Sequence, residues 1–156
     1  GKTASLFRWA LSAGGHLGGL SPQEIHTLGT VGESLGMTFQ MVDDLLDLQA
    51  DGTETGKSSL RDLKEGKLTW PLIIASERSA VVKEKLMAQA QSSDELSPEA
   101  CDQLVKAIRE TGAVEETVAE ATRYAQMALQ GLKTLPKGDS RRALETVVQT
   151  ALRRRK

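Results

Sequence analysis

The longest unbroken helical pattern in the chain runs from Ser21 to Leu48, and no other stretch limits the fold as tightly. Ser21-Pro22-Gln23-Glu24 reads as a helix start: Ser as N-cap, Pro at the first helical position, Glu three residues on to complete a capping box. Ile25, Leu28, Val31 and Leu35 follow. Leu35, Phe39, Val42 and Leu46 then recur at spacings of four, three and four, one apolar face at the helical period. Gln40, Asp43, Asp44 and Asp47 recur at three, one and three, which gathers them on another face. Carboxylates at neighbouring helical positions repel by a few tenths of a kcal/mol per pair. A helix that keeps three of them is expected to set a cation against them. Oxygen-only ligands, with no His or Cys among them, favour a hard ion such as Mg²⁺ over zinc or copper. Such an ion takes one or two carboxylates and completes its shell with water and substrate phosphates. Lys57, Lys64 and Lys67, which follow, are what phosphates would want.

Blander readings compete with that one. A D-D-x-x-D triplet alone is more often a solvated helix face than a metal site, but this one is embedded in an apolar run, Met37 to Leu48, that reads as buried. An EF-hand loop begun at Asp47 would place Ser58 where a bidentate Glu is needed. Gly52-Thr53-Glu54-Thr55-Gly56-Lys57-Ser58 is one residue short of a phosphate-binding P-loop and has no strand before it. Both fail on spacing.

The rest of the chain is also helical in pattern. Residues 3–13 place Leu6, Phe7, Ala10 and Leu11 on one face, which predicts a buried helix that Gly14, Gly15, Gly18 and Gly19 end or loosen; their spacing matches no dinucleotide fingerprint, so close helix packing or a C-terminal turn is expected of them. Residues 50–59 are polar, carry Gly52 and Gly56, and read as a mobile loop after the carboxylates. Residues 67–90 read as one or two helices with Pro71 near the start. Ser92-Ser93-Asp94-Glu95 is a break, and Ser97-Pro98-Glu99 is another N-cap with Pro at the first position. Gly112 suits the C′ position of the helix it follows, residues 114–132 continue the pattern, and Leu135-Pro136-Lys137-Gly138 is a turn. Asp139 is expected to cap the last helix, and Arg153-Arg154-Arg155-Lys156 to complement its C-terminus. His16 and His26 have no acid–base partner nearby in sequence and read as structural. With no alternating β-branched stretch, the expected class is all-α.

Composition narrows the setting. A chain of 156 residues is expected to form one domain, 1–156, with a real core. Its formal net charge of −1 gives no global field for nucleic acid or an anionic membrane. Aromatic residues make up only 3%, which leaves the core to Leu, Val, Ile and Ala. The single Cys101 excludes an internal disulfide and fits a reducing compartment. No run of eighteen apolar residues is present, so no membrane span and a cytoplasmic location are expected. Gly1-Lys2-Thr3 lacks an initiator Met and runs straight into a helical pattern, as a piece of something longer would.

Phe39-Gln40-x-x-Asp43-Asp44-x-x-Asp47, then Thr55-Gly56-Lys57 and Asp62-Leu63-x-Glu65-Gly66-Lys67-x-Thr69-x-Pro71-Leu72, closely resembles the second aspartate-rich motif and following segment of the trans-isoprenyl diphosphate synthases, the polyprenyl synthetase family. Lys2-Thr3-Ala4-Ser5-Leu6-Phe7 resembles that family's Lys-Thr motif at its usual distance upstream. The resemblance implies an antiparallel helical bundle of the isoprenoid synthase type with a central cavity, here its C-terminal half. It implies the joining of an allylic diphosphate to isopentenyl diphosphate, with Mg²⁺ ions holding the allylic diphosphate as it ionises to an allylic cation. By residue, Asp43 would ligate Mg²⁺, with Asp44 and Asp47 supporting the site directly or through water. Lys57 and Lys2 would grip the departing diphosphate, Thr3 and Gln40 would lie beside the allylic carbon and the incoming substrate, Asp62 would orient metal-bound water, and Lys67 would add charge near the phosphates. Without metal, the clustered aspartates are expected to have raised pKa values through mutual repulsion.

Two departures accompany the resemblance. Family members often carry Gly shortly after the Gly-Lys, where this chain reads Ser58-Ser59-Leu60-Arg61, which leaves the backbone shape there open. The first aspartate-rich motif and the basic residues for isopentenyl diphosphate normally lie upstream of the Lys-Thr motif and are not in these 156 residues. The chain alone is therefore expected to be inactive, the complete enzyme to be a homodimer, and product length to be illegible. The rival reading is a non-catalytic helical subunit, a diphosphate-binding partner of a prenyl synthase. The intact Asp43, Asp44, Asp47 and Lys57 favour the enzyme.

Overall fold

The computed structural model describes residues 1–48, 60–92 and 96–154. The loop reading for 50–59, with Lys57 in it, lies outside the described residues, as do Arg155 and Lys156 and most of the break at 92–95. Every regular element among the described residues is an α-helix, as the patterning predicts: α1 (Lys2–Leu17), α2 (Pro22–Asp47), α3 (Arg61–Lys64), α4 (Trp70–Arg78), α5 (Ala80–Gln91), α6 (Pro98–Glu110), α7 (Ala113–Lys133) and α8 (Asp139–Arg153). They gather into two compact units, residues 1–42 with 119–156, and residues 43–118.

In the first unit α2 packs between α1 and α7. It begins where the sequence says it should. The Ser21 backbone N–H donates to Glu24 Oε2 at 2.8 Å and the Glu24 N–H to Ser21 Oγ at 3.4 Å, a reciprocal capping box. The Ser21 hydroxyl also donates to Glu24 Oε2, at 2.6 Å, and that bond, followed by the one from the Ser21 amide, holds the Glu24 carboxyl below its usual range. One side of α2 is a seam without side-chain bulk, Gly29, Gly32 and Gly36, and α1 runs antiparallel along it. A Cβ on Gly36 would stand 2.6 Å from Ala4 Cα, and one on Gly32 would stand 2.5 Å from the Phe7 carbonyl oxygen. Against another face lies α7, whose Gly131 faces Val31 and whose Ala121 carbonyl accepts from the Thr38 hydroxyl at 3.4 Å. Leu28, Val31, Leu35, Ala125, Ala128, Leu132 and Val148 form the core of this unit.

The first helix departs from its expected face. The stripe turned inward is Ala4, Phe7, Leu11 and Gly15, whereas Leu6 (59% exposed) and Ala10 face outward beside Trp9. Spacing alone allows either stripe; the glycine seam on α2 selects the one that starts with Ala4. Glycines late in α1 and just after it serve close packing and a turn, as expected, but Gly14 and Gly15 do not end the helix. It runs on through them to Leu17, and Gly15 packs against Leu28 while Gly19, at φ +71°, makes the turn. Asp139 is not the cap of α8 either. Gly138 holds the cap position, and Asp139 is the first helical residue, paired with Arg142.

In the second unit the core is Leu48, Leu60, Leu63, Leu72, Ala75, Val82, Leu86, Leu104 and Ile108, with Cys101 buried among them. Burial pushes the Cys101 thiol above its ordinary pKa. Residues 67–90 resolve into two helices because Ser79 is extended and caps α5, accepting the Val82 N–H at 3.3 Å. Ser97 caps α6 through the Ala100 N–H, with Pro98 at its first position. Gly112, at φ +74°, ends α6, and Arg78 crosses to the Thr111 carbonyl at 3.1 Å and pairs with Glu116.

Candidate functional site

The expected site residues fall into two groups. In the first unit, the close approach of α1 to the glycine seam brings Thr3 against Gln40, and the Thr3 hydroxyl donates to Gln40 Oε1 at 3.0 Å. Phe7 meets Phe39 one turn further along α1, ring centroids 5.8 Å apart, and the Arg154 guanidinium lies over the Phe39 ring at 5.0 Å. Lys2, at the first residue of α1, is exposed.

The second group stands on the last turn and a half of α2, and its three carboxylates are not equivalent. Asp43 is exposed and makes no hydrogen bond or ion pair with any described residue. Asp44 is buried, 6% exposed, and its Oδ2 accepts the Trp70 backbone N–H at 3.0 Å. Asp47 is half-buried and accepts twice, from the Arg61 N–H on Oδ1 at 3.0 Å and from the Asp62 N–H on Oδ2 at 3.3 Å. Burial pushes the Asp47 carboxyl above its ordinary range. The Asp62 and Asp44 charges push the same way, and the bonds from the Asp62 and Arg61 amides oppose them. Mutual repulsion, the cause expected from the sequence, is thus secondary to burial at this residue.

Asp62 and Lys67 also meet. Lys67 Nζ lies 3.1 Å from Asp62 Oδ1 and 2.6 Å from Glu65 Oε2, and these bonds, Glu65's first, hold the ammonium above its usual pKa. The sequence reading did not pair Lys67 with Glu65, although the i, i+2 spacing in a turn is a visible signal. Gly66 at φ +74° makes that turn. Just before α3, Leu60 takes the left-handed conformation, φ 60° and ψ 33°, with its side chain fully buried. Here the chain adopts the backbone that a Gly would supply, at a cost of roughly 1–2 kcal/mol, and fills the core with the side chain a Gly lacks.

No three His, Cys, Asp or Glu side chains among the described residues form a ready-made metal cage. The donors present still suit a hard cation. They are carboxylate oxygens, and the exposed, unengaged one belongs to Asp43, in keeping with an ion that takes few protein ligands and many waters.

The sequence and the helical fold are similar to those of known proteins. The family model for polyprenyl synthetase matches residues 1–108. A short chain isoprenyl diphosphate synthase of Methanothermobacter thermautotrophicus is 37% identical over 155 residues, 98% of this chain and 46% of its own length. The crystal structure of a polyprenyl synthetase from Streptomyces coelicolor superposes with a TM-score of 0.85 at 32% identity, over 97% of this chain and 46% of that one. A polyprenyl synthase from Caulobacter crescentus, complexed with calcium and isoprenyl diphosphate, gives 0.82 at 32% identity, over 99% and 47%. The chain belongs to the polyprenyl synthetase family. It spans about half the length of the curated relatives it matches.

Proposed function

We propose that this chain is the C-terminal half of a trans-prenyltransferase that condenses an allylic diphosphate with isopentenyl diphosphate. Asp43 carries the reading: a solvent-facing carboxylate with no partner among the described residues, on a helix whose other two motif carboxylates are engaged. A relative complexed with calcium and isoprenyl diphosphate supports both a divalent cation and a diphosphate ligand. Asp43 would hold Mg²⁺, with Asp62 ordering its water. Bound there, the ion supplies positive charge against the departing diphosphate.

The barrier in such a reaction is charge separation, and fixed cations lower it where negative charge develops. Lys2 and Lys57 take that role at the diphosphate. Lys67 stays charged through its two carboxylate partners and adds to the local field. Thr3 and Gln40, hydrogen-bonded to each other, border the allylic carbon with oriented dipoles. Water must be kept out, since it would quench the cation to an alcohol. The complete enzyme is a homodimer with a cytoplasmic setting. No helix among the described residues is long and apolar enough to cross a membrane. With one aspartate-rich motif of two, the 156-residue chain is inactive alone.

Calorimetric titration of a non-hydrolysable allylic diphosphate analogue, with and without Mg²⁺, into wild type and Asp43→Ala tests this. Binding that needs both the ion and Asp43 is the expected result. Binding indifferent to both would remove the assignment, and turnover by the purified chain would remove the inactivity.

A further inference from the structure

The three carboxylates of Asp43-Asp44-x-x-Asp47 read alike in sequence, yet two of them are committed to backbone amides. The amides concerned share one property: each opens a helix. Trp70 is the first residue of α4, whose own cap residue, Thr69, makes no side-chain cap bond. Pro71, next in line, has no N–H, so the Asp44 bond to Trp70 at 3.0 Å satisfies the first of the few donors that α4 leaves open. Arg61 and Asp62 are the first two residues of α3, and its cap residue, Leu60, has no side-chain acceptor to offer. Asp47 serves both with its carboxylate and also accepts the Leu60 N–H on its main-chain oxygen at 3.2 Å. Three successive amides, 60 to 62, are thus gathered on one residue.

We infer that Asp44 and Asp47 are positioning residues, which cap α4 and α3 from across the fold, and that metal binding in this motif falls to Asp43. The inference rests on the reading of Asp43 as a metal ligand given above. A carboxylate is well suited to such capping, because its charge meets the positive end of the helix as well as its free N–H groups. Capping from a distant helix does something a local Ser or Asp cannot. It ties the start of α3, with Asp62 on it, and the start of α4 to the last turns of α2, so that Asp62 is held relative to the motif. Burial of Asp44 also leaves it little room for a hydrated ion, whereas Asp43 has open solvent.

Asn distinguishes the roles, because it still accepts a hydrogen bond as a cap but brings no negative charge to a hard cation and so holds it more weakly. The test uses the 156-residue chain with Mn²⁺ as a paramagnetic stand-in for Mg²⁺, following metal affinity by electron paramagnetic resonance and stability by thermal melting. Asp43→Asn is expected to weaken Mn²⁺ binding by about tenfold or more with the melting temperature unmoved. Asp44→Asn and Asp47→Asn are expected to keep Mn²⁺ affinity within about twofold, while Asp44→Ala and Asp47→Ala lower the melting temperature by roughly 2–4 °C for each kcal/mol of cap lost. Asp47→Asn keeps one of two acceptors and should fall between wild type and Asp47→Ala. Loss of Mn²⁺ affinity in Asp44→Asn or Asp47→Asn, with melting unchanged, would overturn the inference. So would Ala variants as stable as their Asn counterparts. Equal Mn²⁺ binding by wild type and Asp43→Asn would instead remove the metal role of Asp43, and the Asn-versus-Ala comparison would still decide the caps.

Discussion

Replacing Gly32 by Ala should loosen the first unit, although the same change at Gly14 should tighten it. Both glycines are helical. Gly→Ala in a helix interior is favourable by up to about 1 kcal/mol on propensity alone. At Gly14 a Cβ meets nothing within 4 Å, so that gain should appear undiminished. At Gly32 the Cβ would lie 2.5 Å from the Phe7 carbonyl oxygen, 2.8 Å from its carbon and 2.9 Å from Arg8 Cα. The first distance is ~0.9 Å short of ordinary van der Waals contact at 3.4 Å, and the atoms in the way are backbone, with no rotamer to escape into. The whole of α1 must back away. Overpacking of this kind costs about 1–3 kcal/mol, and with backbone obstacles the upper part of that range applies. After subtracting the propensity gain, a net loss of about 1.5 kcal/mol remains, or roughly 3–6 °C in melting temperature for a chain of this length. Gly29→Ala should fall between the two, because its nearest obstacle is the Ser12 hydroxyl, which can rotate. Far-UV circular dichroism melts of the three variants provide the comparison. A Gly32→Ala protein that melts at or above wild type would refute the claim that the seam sets the α1–α2 distance.

Further outcomes follow from the same structure. Thr3→Val keeps the shape of the side chain and removes the donor to Gln40, so it should cost about 0.5–1.5 kcal/mol in chemical denaturation; an unchanged midpoint would mean that the bond contributes nothing. Leu60→Gly relieves roughly 1–2 kcal/mol of left-handed strain but deletes a fully buried side chain worth about 2–4 kcal/mol, so the variant should be less stable, and a more stable one would show that strain dominates. The raised Cys101 pKa has a definite sign: its contribution to stability is whole below the unfolded thiol value of about 8.5 and is lost as pH rises toward the folded value. Cys101→Ala should therefore flatten the alkaline limb of a stability–pH curve, and the native thiol should react only slowly with a thiol reagent; a fast reaction would contradict its burial.

Local rules are legible at several places in this chain where the partner of a residue is close by in sequence. The capping box at Ser21 and Glu24, the cap at Ser97, the φ > 0 turn at Gly112 and the long apolar face of α2 all depend on neighbours a few residues away. The motif segments carry enough specific spacing to place the chain in its family before any fold is drawn. Tertiary structure settled the rest. It chose Ala4, Phe7 and Leu11 over Leu6 and Ala10 as the inner stripe of α1, because the surface it must match is a glycine seam on another helix. It placed Leu60 in a glycine-like conformation, because burial of that side chain outweighs the strain. And it made three equal aspartates unequal. Two face unsatisfied helix amides contributed by residues 14 to 26 positions away, and one faces water. Spacing along one helix specifies which side chains share a face; only the chain that returns to that face decides which of them remain free to bind something else.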